Sequence, residues 1–353
     1  MRIQLRQPAY TNEALMRTLE TPFSHRLEDL APRDRPEPQP PGRGQVLVRV
    51  QAAGLNYRDL LVATGHDRWL SPADRILGSD AVGTIIATGP ETERFAIGSR
   101  VITTILPKWI SGPLTPEKRK GGLGGPAADG VFAETICLDA AGLVAAPAYL
   151  TNAEAAAVPV AALTAWHALT RGGALRPGAT VLVEGTGGVS LFALQIAVAA
   201  GATVIATSSS EAKLERLRSL GASATLNYNE RADWGEEVLK LTDGRGVDLA
   251  VDIGGAASLN QSIKATAMGG VVSIVGLVGG LRAEIDLGEV FQKNLRLDGI
   301  ETGSRTMLEE MLTWFEDKRI KPVIDSTFPF DDARDAFLRL REGRHFGKVC
   351  LSF

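Results

Sequence analysis

The stretch Thr180–Gly201, TVLVEGTGGVSLFALQIAVAAG, decides the fold of this chain. Its apolar residues Val181–Val183 are mostly β-branched and predict a fully buried strand of a parallel sheet. After a glycine-rich turn at 185–188, apolar residues recur at helical spacing from Val189, and Gly201 predicts a left-handed helix end. The sequence therefore predicts a strand that passes through a glycine turn into a helix.

The glycine turn has the spacing of a dinucleotide-binding turn. Gly185 permits the tight turn, Gly187 lets backbone amides approach a pyrophosphate, and the small Ser190 lets helix and strand pack closely. The free N–H groups at the start of the helix attract phosphate. A bare G-x-G-x-x-S more often only turns the chain, but the strand before it and the helix after it favour a dinucleotide site.

The end of the next predicted strand, 202–207, indicates which dinucleotide binds. An NAD site usually has Asp or Glu there, which binds the ribose 2′-hydroxyl. Here 207–210 read Thr-Ser-Ser-Ser, whose hydroxyls can donate to a 2′-phosphate, and Lys213 supplies a positive charge. We therefore expect NADP(H). In the alternative, Ser210 only caps a helix, Lys213 is a surface charge, and the nearby Glu211 leaves NAD(H) open.

Length and composition limit the class of protein. A chain of 353 residues is longer than one hydrophobic core usually serves, so we expect two domains. The net charge of −3 and the lack of a basic block argue against nucleic acid or an anionic membrane as partner. Two distant cysteines and an N-terminus without an apolar signal core predict a cytoplasmic protein.

The order of predicted elements divides the chain. Residues 1–43 are predicted to begin with a short strand and to continue as irregular, proline-rich chain. Strands predicted at 45–53, 78–88, 99–105 and 130–138 are typical of an all-β unit. From Asn152 an alanine-rich helix through Leu169 is predicted, and strands then alternate with helices up to 275. This alternation predicts a doubly wound parallel sheet, so the fold class is α/β.

Several segments together match one known family of enzymes. They are GLNYRDLLVATG (54–65), LGSDAVG (77–83), LTAWHAL (163–169), VLVEGTGGVSLFALQIA (181–197), TSSSEAKLERLRSLGA (207–222), NYNE (227–230), VDIGG (251–255) and HFGKVCL (345–351). In these segments the chain resembles the medium-chain dehydrogenase/reductase superfamily, and within it the zinc-free quinone-oxidoreductase-like branch. The resemblance implies a GroES-like β-rich catalytic domain, residues 1–150 and 288–353, and a Rossmann NADP-binding domain, residues 151–287, with the nicotinamide between them.

The resemblance also implies which residues bind the cofactor. They are Thr164, Gly185, Gly187, Gly188, Val189, Ser208, Ser209, Lys213, Tyr228, Gly276, Phe346, Gly347 and Lys348. Ser209, Lys213 and Tyr228 are implied as contacts of the 2′-phosphate. Each assignment has a structural alternative, for example Thr164 as a helix cap, Tyr228 as a packing residue at a strand edge, or Lys348 as a surface charge.

The residues that hold zinc in alcohol dehydrogenases are replaced in this sequence. Compared with that family, Asn56 stands in place of a cysteine, and Gly78-Ser79-Asp80 stands in place of Gly-His-Glu. Residues 158–162 offer no third ligand, and 107–130 contain no cysteine for a structural zinc. We therefore expect no metal. Asp80 is then expected to be a buried, hydrogen-bonded carboxylate.

Without zinc, Asn56 and Tyr57 are the expected catalytic residues. The resemblance implies that Asn56 lines the nicotinamide pocket, where its amide can donate to a substrate oxygen, and Tyr57 can donate a proton. The alternatives are a turn asparagine and a half-buried packing tyrosine. Arg58 and Asp59 are expected to form structural hydrogen bonds or an ion pair, and His167 to be a core or interface histidine.

Taken together, these features predict a zinc-independent oxidoreductase that transfers hydride from NADPH to a quinone or an α,β-unsaturated carbonyl. One alternative is an enoyl-thioester reductase, whose coenzyme phosphate the basic residues 118–120 would bind, and another is a carbonyl reductase of the alcohol dehydrogenase type. The alternative from another class is an NADPH-binding sensor or structural protein with little turnover. The expected partners are a small-molecule substrate and a second copy of the chain, which would pair at an edge strand in 270–280.

Overall fold

The computed structural model describes residues 14–353. The predictions made for residues 1–13, a start without a signal core and the beginning of an opening strand, lie outside the described residues. The part before residue 150 is rich in strands, as predicted. Its elements are β1 (Leu15–Leu19), β2 (Pro32–Pro36), β3 (Gln45–Gly54), α1 (Tyr57–Ala63), β4 (Asp80–Thr88), β5 (Arg100–Ile102), α2 (Pro116–Arg119), β6 (Thr135–Asp139) and β7 (Val144–Ala145).

Helices and strands alternate after residue 151. The elements are α3 (Asn152–Ala156), α4 (Ala161–Thr170), β8 (Thr180–Glu184), α5 (Gly188–Ala199), β9 (Thr203–Ser208), α6 (Glu211–Ser219), β10 (Ala224–Asn227), α7 (Trp234–Leu241), β11 (Val247–Asp252), α8 (Leu259–Ala265), β12 (Thr266–Ile274), α9 (Leu287–Gln292), β13 (Arg296–Gly299) and α10 (Arg305–Lys318). The tail adds β14 (Ile324–Pro329), α11 (Ala333–Arg341) and β15 (Lys348–Ser352).

The predicted alanine-rich helix is two helices, α3 and α4. The chain leaves the helical conformation between Ala157 and Val160. Pro159 lies in this break, and proline has no N–H for a helical hydrogen bond. The prediction of one continuous helix was therefore wrong at this point.

Six strands form one parallel sheet in the order β10-β9-β8-β11-β12-β13. Val181, Leu182 and Val183 of β8 have no exposed surface, because helices cover both faces of the sheet. The strand order reverses between β8 and β11, and in sheets of this kind ligands bind at the carboxyl ends of the strands at that point. The predicted doubly wound sheet is confirmed.

The second sheet joins strands β3–β7 of the β-rich part to β14 and β15 of the tail, while β1 and β2 form a separate two-stranded sheet. The second sheet has the order β14-β15-β3-β4-β5-β7, and β6 also pairs with β3. Alternate residues of β3, among them Val46, Val48 and Val50, are buried in the core of this unit. β15 pairs antiparallel with β3, with Cys350 opposite Gly54. This pairing brings the start of β15 beside the segment that follows β3.

The parallel sheet extends further along the chain than predicted. We placed its end at residue 287, but β13 pairs with β12, with Val271 opposite Arg296. The buried residues of α10 then pack in the same core as α4. The boundary at 287 was wrong because β13 has only four residues and no apolar run that would reveal a strand. Residues up to Lys318 pack with the parallel sheet.

The predicted edge strand in 270–280 is an inner strand. β12 lies between β11 and β13, and Val271 and Val272 are buried. The edge of the sheet on this side is β13. The argument for dimerisation through an exposed β12 edge is therefore wrong, and the homodimer itself stays a prediction.

The structure also describes the two cysteines and the length of the helices. Cys137 and Cys350 are both free, as their number and spacing indicated. Within residues 14–353 no helix combines the length and the apolar character that crossing a membrane requires.

Candidate active site

A cleft of about 2200 Å³ lies between the two sheets. The parallel sheet contributes residues at the carboxyl ends of β8, β9 and β12, and the β-rich unit contributes the start of α1 and the long loop after β5. Most of the residues predicted to form the site lie in its wall. They are Asn56, Tyr57, Thr164, Gly185, Gly187, Gly188, Val189, Ser208, Ser209, Lys213, Tyr228, Gly276 and Gly347.

The glycine turn presents an open helix end to the cleft. Gly185 has a φ of +72°, a conformation that glycine adopts without strain. Gly187 is the N-cap of α5, and a Cβ there would meet no atom within 4 Å. Because glycine has no side chain that could cap the helix, the first N–H groups of α5 are available to an anion. The turn has the space and the donors that a pyrophosphate requires.

Buried hydroxyls in the same region have no partner in the described chain. Thr164 Oγ1 lies in the cleft wall at α4, and Ser190 Oγ lies in the first turn of α5. Buried polar groups are normally hydrogen-bonded, so an unpartnered hydroxyl beside a cleft points to a ligand. These groups and the open turn fit a nicotinamide dinucleotide.

The end of β9 shows hydroxyls and no carboxylate that faces the cleft. Ser208 is buried, Ser209 is exposed, and Tyr228 is half exposed beside them. The Glu211 carboxylate, which left NAD(H) open, accepts a hydrogen bond from Asn227 Nδ2 at 2.9 Å. The Glu211 carboxylate is therefore hydrogen-bonded to the last residue of β10.

Lys213 lies in the cleft wall, but two of its three ammonium protons are used within the chain. Nζ donates to the carbonyl oxygens of Gly343 at 3.0 Å and His345 at 2.9 Å. Burial lowers the pKa of the Lys213 ammonium. An ammonium has three donors, so one remains for a ligand. The sequence did not reveal that this lysine also holds the tail beside β15.

Lys348 and Phe346 do not line the cleft, in contrast to what the resemblance implied. Because β15 pairs with β3, the Lys348 side chain runs beneath the cleft wall and is only 3% exposed. Its Nζ donates to the carbonyl oxygen of Leu55 and to Asn56 Oδ1, each at 2.6 Å. Phe346 is buried, with the guanidinium carbon of Arg216 3.7 Å from its ring centroid.

A cluster of four residues, which we call the polar centre, lies under the cleft. It consists of Asn56, Ser79, Asp80 and Lys348. Asp80 is fully buried, and its carboxylate accepts from Ser79 Oγ at 2.8 Å and from the backbone N–H of Val160 at 3.1 Å. Lys348 Nζ lies 3.9 Å from Asp80 Oδ2. Burial raises the pKa of Asp80, and the Lys348 ammonium opposes this shift. The predicted buried, hydrogen-bonded Asp80 is confirmed.

Residues that follow Asn56 hold it in place. The backbone N–H of Asn56 donates to Asp59 Oδ2 at 2.8 Å, at the start of α1. Burial raises the pKa of Asp59 to about 6, although Arg58, 3.9 Å away, opposes this. Tyr57 is 39% exposed in the cleft wall. Arg58 and Asp59 thus form the predicted structural pair, and Tyr57 lies where a ligand can reach it.

The rest of the cleft wall comes mainly from the segments that follow α1, β5 and β12. Trp69, much of 109–127, and Leu277, Val278 and Arg282 face the cleft. His167 also lies in the wall, with Nδ1 against the carbonyl oxygen of Thr302 and its ring edge-on to Trp109 at 6.1 Å. Burial lowers the pKa of His167, which favours the neutral ring.

Comparison with known proteins supports one class of enzyme. The model of the alcohol dehydrogenase GroES-like domain matches residues 42–148, and that of the zinc-binding dehydrogenase matches residues 188–317. The chain is 38% identical to a zinc-type alcohol dehydrogenase-like protein of Schizosaccharomyces pombe, over 92% of this chain and 95% of that protein. It is 30% identical to acryloyl-coenzyme A reductase of Sulfurisphaera tokodaii, over 89% and 93%.

A solved structure agrees with this class. An NAD-dependent alcohol dehydrogenase superposes with a TM-score of 0.87 at 37% identity, covering 96% of this chain and all of that one. A parallel sheet whose glycine turn opens on a cleft at the point of strand reversal is the arrangement in which dinucleotides bind. Together with these relatives, it identifies an oxidoreductase. The chain belongs to the medium-chain dehydrogenase/reductase superfamily.

A buried pair of acids beneath the glycine turn was missed by sequence reasoning. Ser262 Oγ contacts both Glu184, at the end of β8, and Asp252 Oδ2, at the end of β11. Asp252 also accepts from the backbone N–H of Gly255 at 2.7 Å and from Ser258 Oγ at 2.9 Å, so it has more donors than Glu184 to stabilise a negative charge. Burial, reinforced by Asp252, raises the pKa of Glu184 to about 8. Each acid ends a buried strand, and only the strand order shows that they meet.

The Glu184→Gln variant tests this buried proton. Glu184 keeps its proton in the folded chain and loses it when the chain unfolds, so stability falls as the pH rises from about 5 to 8. Glutamine is neutral throughout this range. The melting temperature of the variant minus that of the wild type should therefore increase from pH 5 to pH 8, by about 2 °C or more, in thermal unfolding of the cofactor-free protein.

The matched control for this experiment is Glu93→Gln, since Glu93 is exposed. Its melting temperature should follow that of the wild type at every pH. A Glu184→Gln difference that stays constant between pH 5 and pH 8 would show that Glu184 is already ionised in the folded chain.

Proposed function

We propose that this oxidoreductase transfers hydride from NADPH to a quinone or an α,β-unsaturated carbonyl without a catalytic zinc. The composition of the polar centre carries this proposal. Its members offer an amide, a hydroxyl and a single carboxylate, whereas zinc sites are built from thiolates, imidazoles and carboxylates. Its one carboxylate already has a buried ammonium 3.9 Å away, which would repel a divalent cation.

The donor set therefore disagrees with the name of the matching family model. In residues 14–353 no group of three or more His, Cys, Asp or Glu side chains is arranged to hold a metal ion. The zinc-free branch is our proposal for this chain, and the resemblance at 54–65 and 77–83 supports it.

The polar centre offers what a zinc-independent reduction requires. A bound reduced nicotinamide supplies the hydride. The hydride leaves negative charge on the substrate oxygen, and a donor already in place stabilises that charge best. Asn56 lies in the cleft wall, and its amide nitrogen donates to Ser79 Oγ at 3.4 Å and also acts on the Asp80 carboxyl, whose pKa it lowers. The second Nδ2 proton is the donor we assign to the substrate oxygen.

Removing this donor while keeping the shape of the side chain tests the role of Asn56. Asn56→Asp keeps the size of the residue and an oxygen for Lys348, but an ionised Asp has no N–H to donate. We expect kcat to fall about 100-fold, as for other lost oxyanion donors. NADPH affinity, measured by fluorescence titration, should stay within about threefold of the wild type, less than 1 kcal/mol.

Asn56→Ala serves as the comparison, since it also lacks the donor. Both variants should lose turnover to a similar extent. If Asn56→Asp keeps the turnover of the wild type, Asn56 is not the donor.

The preference for NADPH is the second part of the proposal. Ser209 presents a hydroxyl at the end of β9 and Tyr228 one at the end of the neighbouring β10. Lys213 has one ammonium proton left for a ligand, and Glu211 is bonded to Asn227. Hydroxyls and an ammonium suit a 2′-phosphate. The similarity to an NAD-dependent alcohol dehydrogenase makes the cofactor a necessary test.

A carboxylate placed at the end of β9 should reverse the cofactor preference. In Ser209→Asp the new charge repels the 2′-phosphate and can accept from the 2′-hydroxyl of NADH. The ratio of kcat/KM for NADPH to that for NADH should fall about 100-fold, which is about 2.7 kcal/mol. Ser209→Asn is the control of equal size without charge and should change the ratio much less. An unchanged ratio in Ser209→Asp would place the 2′-phosphate elsewhere.

The substrate class is tested with a panel of acceptors. NADPH and NADH oxidation is followed with a benzoquinone, an enone, a crotonyl thioester and a simple ketone. We expect turnover with NADPH and the quinone or the enone. Turnover with the ketone alone would indicate a carbonyl reductase, and tight NADPH binding without turnover of any acceptor would favour the sensor.

An enoyl-thioester reductase is the second candidate. One relative is named as an acryloyl-coenzyme A reductase, and the cleft is large. The basic loop is less available than the sequence suggested, because Lys118 Nζ donates to the carbonyl oxygens of Ser111 and Pro113 and Arg119 pairs with Glu301. Lys120 and Arg282 remain in the cleft wall as cations for a coenzyme phosphate. Turnover of the crotonyl thioester above the other acceptors would favour this candidate.

A further inference from the structure

Lys348 joins the glycine turn to Asn56. A Cβ at Gly188 would lie 2.6 Å from Lys348 Cδ, so the stem of the lysine passes directly against the turn. The backbone beside it is fixed as well, since the N–H of Gly347 donates to the carbonyl oxygen of Thr186 at 2.9 Å. The ammonium at the other end of the stem reaches Asn56. One side chain therefore contacts both the pyrophosphate turn and the amide in the cleft wall.

The ammonium determines which way the amide of Asn56 faces. Lysine has donors and no acceptor, so the group 2.6 Å from Nζ must be the amide oxygen. The amide nitrogen then faces Ser79 Oγ, which itself donates a hydrogen bond to Asp80 Oδ1 at 2.8 Å. The amide nitrogen also acts on the Asp80 carboxyl, because its hydrogen bonding lowers the pKa of that group. The Nδ2 proton that is not used for Ser79 and Asp80 is the one we assign to the substrate oxygen.

Without the ammonium, the opposite orientation would become favourable. The carbonyl oxygen of Leu55, which Lys348 now occupies, could accept from Asn56 Nδ2 in its place. The amide oxygen would then face the cleft. An oxygen there would repel the charge that the substrate oxygen gains during reduction.

We propose that Lys348 is a positioning residue for hydride transfer: its buried ammonium holds Asn56 Oδ1 and thereby directs Asn56 Nδ2 to the substrate oxygen. The Lys348 ammonium, which donates to the amide oxygen, also polarises the amide and strengthens the hydrogen bond that the amide nitrogen donates. This inference rests on the proposed function. It differs from the cofactor contact that the resemblance implied for Lys348.

A double-mutant cycle with Asn56 tests the proposal. Lys348→Met keeps the length of the stem and removes the ammonium, and we expect kcat to fall about 10- to 100-fold. If Lys348 acts through Asn56, the variant with both Lys348→Met and Asn56→Ala should have the kcat of Asn56→Ala within about threefold. Effects that multiply would overturn the proposal, because a lysine that only stabilises the fold or binds phosphate acts independently of Asn56.

Two further variants serve as controls. Lys348→Met leaves the Asp80 carboxylate buried without its ammonium, which can unfold the chain. Combining it with Asp80→Asn removes that charge, and kcat should still be low while the melting temperature recovers. Recovery of kcat together with the melting temperature would show that Lys348→Met had lost activity only because its fold was destabilised.

The second control is Lys321→Met, at an exposed lysine, which should leave kcat unchanged.

A measurement independent of turnover separates this proposal from the proposed function. In protein labelled with ¹⁵N-asparagine, the Asn56 side-chain amide is the signal pair that disappears in Asn56→Ala. We expect two distinct protons in the wild type, of which the one that faces Ser79 exchanges more slowly than the one that faces the cleft, and a shifted or averaged pair in Lys348→Met. An unchanged pair would overturn the positioning role even if the enzyme turns over. If the wild type reduces no acceptor, the proposed function fails while the amide signals still decide this role.

Discussion

The ion-paired ammonium of Lys348 is the interaction on which the site depends. A buried positive charge is tolerated only where carbonyl oxygens and a negative charge surround it, and Leu55, Asn56 and Asp80 supply these. These partners come from the end of β3 and the start of β4, while the lysine itself begins β15. The antiparallel pairing of β3 with β15 therefore fixes the charge, the amide and the carboxylate in one place.

The same lysine connects the site to the nucleotide-binding sheet. Its stem lies against Gly188, at the start of α5, and the neighbouring Gly347 bonds to Thr186 in the glycine turn. The turn that would bind a pyrophosphate and the amide that would contact the substrate are thus held by one segment of the tail. The tail segment therefore fixes the position of the glycine turn relative to Asn56.

Part of the fold and of the candidate site could be predicted from the sequence. The strand, glycine turn and helix of 180–201 are local patterns, and they led correctly to the parallel sheet and to most of the cleft wall. The predictions that were wrong concern features that depend on strand pairing. The orientation of Lys348 follows from β15 lying against β3, and β13 carries no apolar pattern of its own. The acids Glu184 and Asp252 meet only because β8 and β11 are neighbours.

We propose that a bonded amide and a buried ammonium replace the metal in this member of the superfamily. The most direct test is the rate of NADPH-dependent reduction by protein that has been dialysed against a chelator, with its zinc content measured by mass spectrometry. The account predicts the same rate per chain before and after zinc has been reduced below detection. A rate that falls with the zinc content and returns when zinc is added would contradict it.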